Sequence, residues 1–195
     1  MLSEEEIQQY SGLFKDLSLE DMAGLAQLAR TRELAPGDDY IRKGSESQSI
    51  AFIQKGLIRT YYVQPNDEEI TLMLRWENQF VASIDSIFRQ KASRYTYEAL
   101  EQTVLVEMDY AQARPLIDAN PKLSVSRDGF LMMMLSQAMD RIETFCLFSP
   151  EERYLHLLQE KPGLVERVPD KYLATMLGIT PVSLSRIRKR LSRRN

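Results

Sequence analysis

The final 26 residues, Asp170 to Asn195, hold the side chains whose types and spacing say most about chemistry. Ser183, Ser185, Arg186, Arg188, Lys189 and Arg190 fall on one side of a helical period, and Leu184, Ile187 and Leu191 on the other. A guanidinium can bond guanine O6 and N7 together, a short hydroxyl can meet a base edge, and a cation can neutralise a phosphate. On this reading Arg186 is the main base reader. Val182, Ser183 and Ser185 supply shorter contacts, and Thr180, Arg188, Lys189 and Arg190 grip the backbone, with Arg193 and Arg194 as a basic tail. Thr180-Pro181 is a helix start, a hydroxyl N-cap before a proline whose missing N–H goes unnoticed at the first helical position. Gly178 supplies the positive φ of a tight turn, and Ala174 lets two helices approach closely. The spacing predicts a helix-turn-helix whose second helix suits a DNA major groove.

Charge distribution agrees with this better than net charge does. The whole chain is −3, yet Pro181 to Asn195 carries six basic residues and no acidic one, leaving −9 over residues 1–180. An acidic body with a basic tip can press the tip to phosphates and hold the rest away. Other chemistries find little support. One cysteine, Cys146, rules out an internal disulfide or a cysteine-ligated cluster, and its neighbours Phe145, Leu147 and Phe148 predict a small buried hydrophobe. Paired acids such as Glu4-Glu5, Asp38-Asp39 and Glu151-Glu152 fall at caps and turns. No nucleophile-base-orienter set, phosphate-binding glycine loop or metal-ligand spacing is present, so neither an enzyme, nor a cofactor, nor a metal is expected. The densest apolar stretch, Phe130 to Leu135, is far short of the ~20 residues of a membrane span. The acidic start Met-Leu-Ser-Glu-Glu-Glu lacks the features of a secretion signal, and a reducing, cytoplasmic setting follows.

The elements that must position this helix can be read from periodicity. Residues 3–33 read as helical: Ser3 with Glu6 opens a turn carrying Ile7, Tyr10 and Phe14, and Ser18 with Asp21 opens a second carrying Met22, Leu25 and Leu28. From Leu34 to Met108 the period changes to two, punctuated by Pro36-Gly37, Gly44-Ser45, Lys55-Gly56 and Pro65-Asn66. Six to eight short strands predict a small antiparallel barrel or roll. Asp109 caps a short helix that ends at Asn120, and a long helix runs from Pro121 to about Leu147, about 40 Å. Along it Leu131, Leu135, Ala138, Ile142 and Phe145 are spaced 4-3-4-3, a seam that fits either packing on its own domain or pairing with a second copy. Ser149-Pro-Glu-Glu152 starts another helix. The expected organisation is a sensor domain over 1–120, with its roll at about 34–108, a connecting helix over 121–147, and a helix-turn-helix domain over 148–195.

This order of elements resembles the cyclic-AMP receptor protein/fumarate-nitrate regulator (Crp/Fnr) family of bacterial transcription factors over nearly the full chain. In the roll the resemblance rests on Ile41 to Ser45 and Ile50 to Arg59; at the C-terminus it rests on Val168 to Lys189, which looks most like the branch common in Bacteroidetes. It implies an α+β fold: an N-terminal antiparallel β-roll of the cyclic-nucleotide-binding, jelly-roll type with flanking helices, a long dimerisation helix, and a winged-helix-like C-terminal domain. It implies a homodimer joined through Leu131, Leu135, Ala138, Ile142 and Phe145 on palindromic double-stranded DNA, with RNA polymerase as a further partner.

Departures from the family pattern matter as much. Cyclic-nucleotide members carry a Gly-Glu pair and, about ten residues on, Arg-Ser or Arg-Thr. Here Ala82 and Ser83 stand where the pair would fall, and Arg94-Tyr95-Thr96 follows, with bulky Tyr95 after an arginine that no glutamate faces. These five residues are the candidate ligand contacts. Arg94 reads as an unpaired surface arginine, and the expected effector is a small molecule other than cyclic AMP, or none. The family's oxygen sensors need several cysteines, and its haem sensors an axial histidine; the single histidine, His156, falls outside the roll. A second reading is a ligand-sensing module whose C-terminal helices bind a protein partner.

Overall fold

The computed structural model describes residue 12 and residues 15–193. The Ser3–Glu6 helix start with Ile7, Tyr10 and Phe14, the acids Glu4-Glu5, and Arg194 lie outside the described residues. Helix α1 (Leu19–Leu28) opens as its spacing predicts, with Ser18 Oγ accepting the Asp21 N–H at 3.1 Å and the Asp21 carboxylate accepting the Ser18 N–H at 2.8 Å. It stops sooner than expected. Strand β1 (Arg30–Leu34) starts where the sequence still reads as helix, because Arg30 to Leu34 pair residue by residue with Glu107 to Thr103. A strand of charged and polar residues hides its period, and only the partner strand reveals it.

Seven more strands follow: β2 (Asp39–Ile41), β3 (Ser49–Lys55), β4 (Ile58–Val63), β5 (Glu69–Arg75), β6 (Phe80–Ala82), β7 (Thr96–Ala99) and β8 (Thr103–Asp109). Helix α2 (Ile84–Phe88) interrupts them between β6 and β7. They form two antiparallel sheets, ordered β1-β8-β3-β6 and β2-β7-β4-β5. Ile41, Ala51, Ile53, Ile58, Ala99 and Leu105 meet between the sheets as a closed core. The turn into β4 depends on Gly56, which has φ 104° and packs against Thr103 so closely that an added Cβ would lie 2.6 Å from the Thr103 Cα.

Beyond the roll come α3 (Tyr110–Ala119), capped by Asp109, and α4 (Pro121–Leu147), capped by Asn120 and ending at the expected residue. Then follow α5 (Pro150–Glu160), α6 (Pro162–Arg167), α7 (Asp170–Met176) and α8 (Pro181–Leu191). Ser149 and Glu152 form the reciprocal cap of α5 that their spacing predicts. No helix among the described residues is long and apolar enough to cross a membrane. The C-terminal helices do not stand apart from the roll. Leu57, Leu74 and Trp76 of the roll share one hydrophobic cluster with Leu173, Ala174 and Leu184.

Gly56→Ala is expected to lower unfolding stability by about 3 kcal/mol or more, since it combines left-handed backbone strain with a collision against Thr103. Gly37→Ala, at φ 89° but facing open space, should cost only the strain, about 1 kcal/mol. Urea titrations of the two variants check this; equal losses would remove the close approach as the reason for Gly56.

Candidate nucleic-acid interface

The two helices α7 and α8 meet as a helix-turn-helix. Leu173, Ala174 and Leu184 are fully buried between them and their supports, so a larger side chain at Ala174 has nowhere to go. Gly178 turns the chain with φ 71°, and the N–H groups of Gly178 and Ile179 satisfy the carbonyls of Thr175 and Ala174 at 3.0 Å each. Thr180 Oγ1 caps α8 by accepting the Ser183 N–H at 3.1 Å and lies 3.0 Å from Ser183 Oγ. These two hydroxyls, expected to meet DNA, are already engaged with each other at the cap.

Leu184 and Ile187 anchor α8 from below. Val182, Ser185, Arg186 and Lys189 point away from the body and are exposed. Among the described residues, the side chains of Ser185, Arg186 and Lys189 make no hydrogen bond or ion pair, so this face presents free donors. Arg188 and Arg190 are placed differently. Arg188 donates from Nε to the Tyr154 hydroxyl at 3.0 Å and pairs with Asp170 at 2.7 Å. Arg190 pairs with Glu151. Both reach back to neighbouring helices and brace α8 against α5 and α7.

The seam of α4 is open. Leu131, Leu135, Ala138, Ile142 and Phe145 are all exposed, Leu135 at 56% and Ile142 at 54%. The opposite side of α4 buries Leu123 and Met133 against the chain itself. Cys146 corrects an expectation: it is exposed, not buried, because it lies at the outward-facing C-terminal end of α4 with Leu147 and Phe148 exposed beside it.

At the roll, Ser83 is fully buried and caps α2, accepting the Ser86 N–H at 3.3 Å and the Ser86 hydroxyl at 3.0 Å. Ala82 precedes it, half-buried at the end of β6. Thr96 is buried, with Oγ1 accepting the Lys43 N–H at 3.2 Å, and Tyr95 meets the Tyr62 ring edge-on at 6.5 Å. Arg94 corrects a second expectation, because it is not unpaired. Asp85, only 5% exposed at its side chain, accepts its Nε at 3.0 Å, its Nη2 at 3.1 Å and its backbone N–H at 3.2 Å. Arg89 adds a fourth bond to the same carboxylate at 3.2 Å. The Arg94 side-chain bonds hold the Asp85 carboxyl below the usual aspartate range against the opposing effect of burial. The fork that could take a ligand anion thus holds a carboxylate from its own chain. Asp85 lies on α2 and Arg94 in the segment between α2 and β7, and the turn of the chain between them brings the two side chains together. No group of three or more histidine, cysteine or acidic side chains among the described residues could hold a metal ion.

Because the Asp85 carboxyl is more acidic when folded, its stabilisation is complete at neutral pH, above the unfolded value, and is lost as pH falls through the folded one. Asp85→Asn is therefore expected to lower the urea midpoint at neutral pH, with the gap to the parent protein closing in acid. A gap of the same size at about pH 7 and about pH 2 would contradict this.

Residues 31–120 match the family model of the cyclic nucleotide-binding domain. No curated protein matches the sequence. Among solved structures, the c-di-GMP responsive global regulator CLP of Xanthomonas campestris superposes with a TM-score of 0.70 at 18% identity, covering 90% of this chain and 92% of that one. A Crp/Fnr-family transcriptional regulator from Eubacterium rectale superposes with a TM-score of 0.72 at 19% identity, covering 94% and 87%. Residues 31–120 thus match the cyclic nucleotide-binding domain model, and the chain shares its fold with solved structures that include a transcriptional regulator of the Crp/Fnr family.

Proposed function

We propose that the chain is a cytoplasmic, sequence-specific DNA-binding regulator of transcription that works as a homodimer on a palindromic site. The observation that carries this reading is the outward face of α8, where Val182, Ser185, Arg186 and Lys189 stand free on a helix anchored from behind by Leu184 and Ile187. Arg186 reads a guanine through O6 and N7, Val182 meets a thymine methyl, and Ser185 adds a short polar contact. Lys189 and the exposed Arg193 neutralise phosphates, while Arg188 and Arg190 hold the helix in place. Thr180 and Ser183 present the α8 N-terminus to a phosphate, their hydroxyls fixed by the cap.

The exposed apolar seam of α4 supports the dimer. Five apolar or small side chains at heptad spacing, open to water, are stabilised when a second copy covers them. Two such copies present their α8 helices to successive major grooves about 34 Å apart. The Asp85–Arg94 pair supports an effector other than cyclic AMP, or none, since the anion would have to displace a carboxylate already held by four bonds. RNA polymerase is the partner through which such a regulator acts on transcription.

Arg186→Ala is expected to cost ~1–3 kcal/mol of binding and to relax preference at one base pair per half-site, read by fluorescence anisotropy on single-substituted duplexes. Unchanged sequence preference would remove Arg186 as the reader. Leu135→Glu should give monomers in sedimentation velocity and weaken full-site binding by about tenfold or more, leaving half-site binding unchanged. A variant that stays dimeric would exclude α4 as the interface.

A further inference from the structure

The helix that precedes the reading helix is seated on the roll by a buried charge. Arg59, on β4, is only 1% exposed. Its guanidinium pairs with Glu98 at 2.5 Å and Glu69 at 2.8 Å. Its two faces are covered by the Tyr61 ring at 3.9 Å and the Tyr172 ring at 3.6 Å. Tyr61, Glu69 and Glu98 belong to the roll, whereas Tyr172 belongs to α7. A planar guanidinium stacked between two rings, with its edge held by carboxylates, tolerates little rotation of any partner.

Other contacts hold α7 at the same angle. The Thr71 N–H, on the outer strand β5, donates to Thr175 Oγ1 at 3.1 Å, so α7 completes an edge that would otherwise be open. Arg167, just before α7, is shared between Glu77 at 2.8 Å and Glu101 at 2.6 Å, both from the roll. From the long helix, Arg141 donates to the Met176 carbonyl at 3.1 Å. Because Ala174 leaves no slack between α7 and α8, a fixed seat for α7 is a fixed direction for α8.

We propose that the Arg59–Tyr172 seat sets the angle of the reading helix relative to α4, and thereby the half-site spacing that the dimer accepts. Arg59 and Tyr172 are positioning residues that act through α7 and touch no DNA. The inference rests on the DNA-reading dimer proposed above. Two rigidly held heads concentrate their second contact at one spacing, whereas loosened heads spread it over several.

The test measures binding of full-length protein to palindromes whose half-site separation is the preferred one, or one or two base pairs shorter or longer, and to a single half-site. The parent protein is expected to favour one separation by about tenfold or more over its neighbours. Tyr172→Leu, which keeps apolar bulk but removes the ring, should reduce that preference to about threefold or less with half-site affinity, base preference and salt dependence unchanged. Tyr172→Phe, which keeps the ring face, should restore the parent preference. Arg59→Met should behave as Tyr172→Leu, and Thr175→Val should show the same loss in milder form should Arg59→Met prove too unstable to purify. Tyr172→Leu retaining the parent spacing preference, or losing half-site and full-site binding alike, would overturn the inference. So would a parent protein indifferent to spacing. A parent protein that binds neither half-sites nor palindromes would overturn the proposed function as well.

Discussion

A guanidinium closed off from water between two tyrosine rings joins the two halves of this molecule. Burying a charge is costly, and the cost is offset only when all of its partners are in place. Arg59 finds two carboxylates and one ring within the roll, and its last ring comes from the C-terminal helices. Around it Trp76, Leu57 and Leu74 extend one hydrophobic cluster from the roll into the helix-turn-helix. Apolar burial supplies the larger share of the attachment but is tolerant of direction; the stacked arginine and the Thr71–Thr175 bond supply the direction. The proposed reading helix is thus oriented by residues that lie outside its exposed face.

Internal ion pairs also decide which cations remain available outside. The acidic body and basic tip are visible as charge runs, yet several basic residues are already paired. Arg188 and Arg190 brace α8, Arg94 is closed by Asp85, and Arg167 is shared between two glutamates. What remains on the outward face of α8 is Arg186 and Lys189. That smaller set suits a reader whose specificity comes from a few directed bonds more than from bulk charge.

Local grammar in the sequence anticipated much of this. The reciprocal caps at Ser18 and Ser149, the Thr180-Pro181 start, the Gly178 turn and the limits of α4 depend on contacts three or four residues apart, so residue spacing suffices to find them. The seam spacing likewise located an apolar face that the structure leaves uncovered. Features resting on distant pairing escaped. The start of β1 depends on β8, and the Arg59 seat on a helix more than a hundred residues later in the chain. Cys146 is exposed although its neighbours in sequence are apolar, because that end of α4 faces outward. Period and caps report local structure, while charge partners and burial are set by topology.

Selection of bound duplexes from a fully randomised library by the unmodified full-length protein tests the central claim most directly. The expected product is an inverted repeat with one dominant separation, its half-sites centred about one helical turn, 10–10.5 base pairs, apart. Enrichment of no sequence, or of unpaired half-sites with no preferred separation, would contradict a dimer whose reading helices are fixed on the roll.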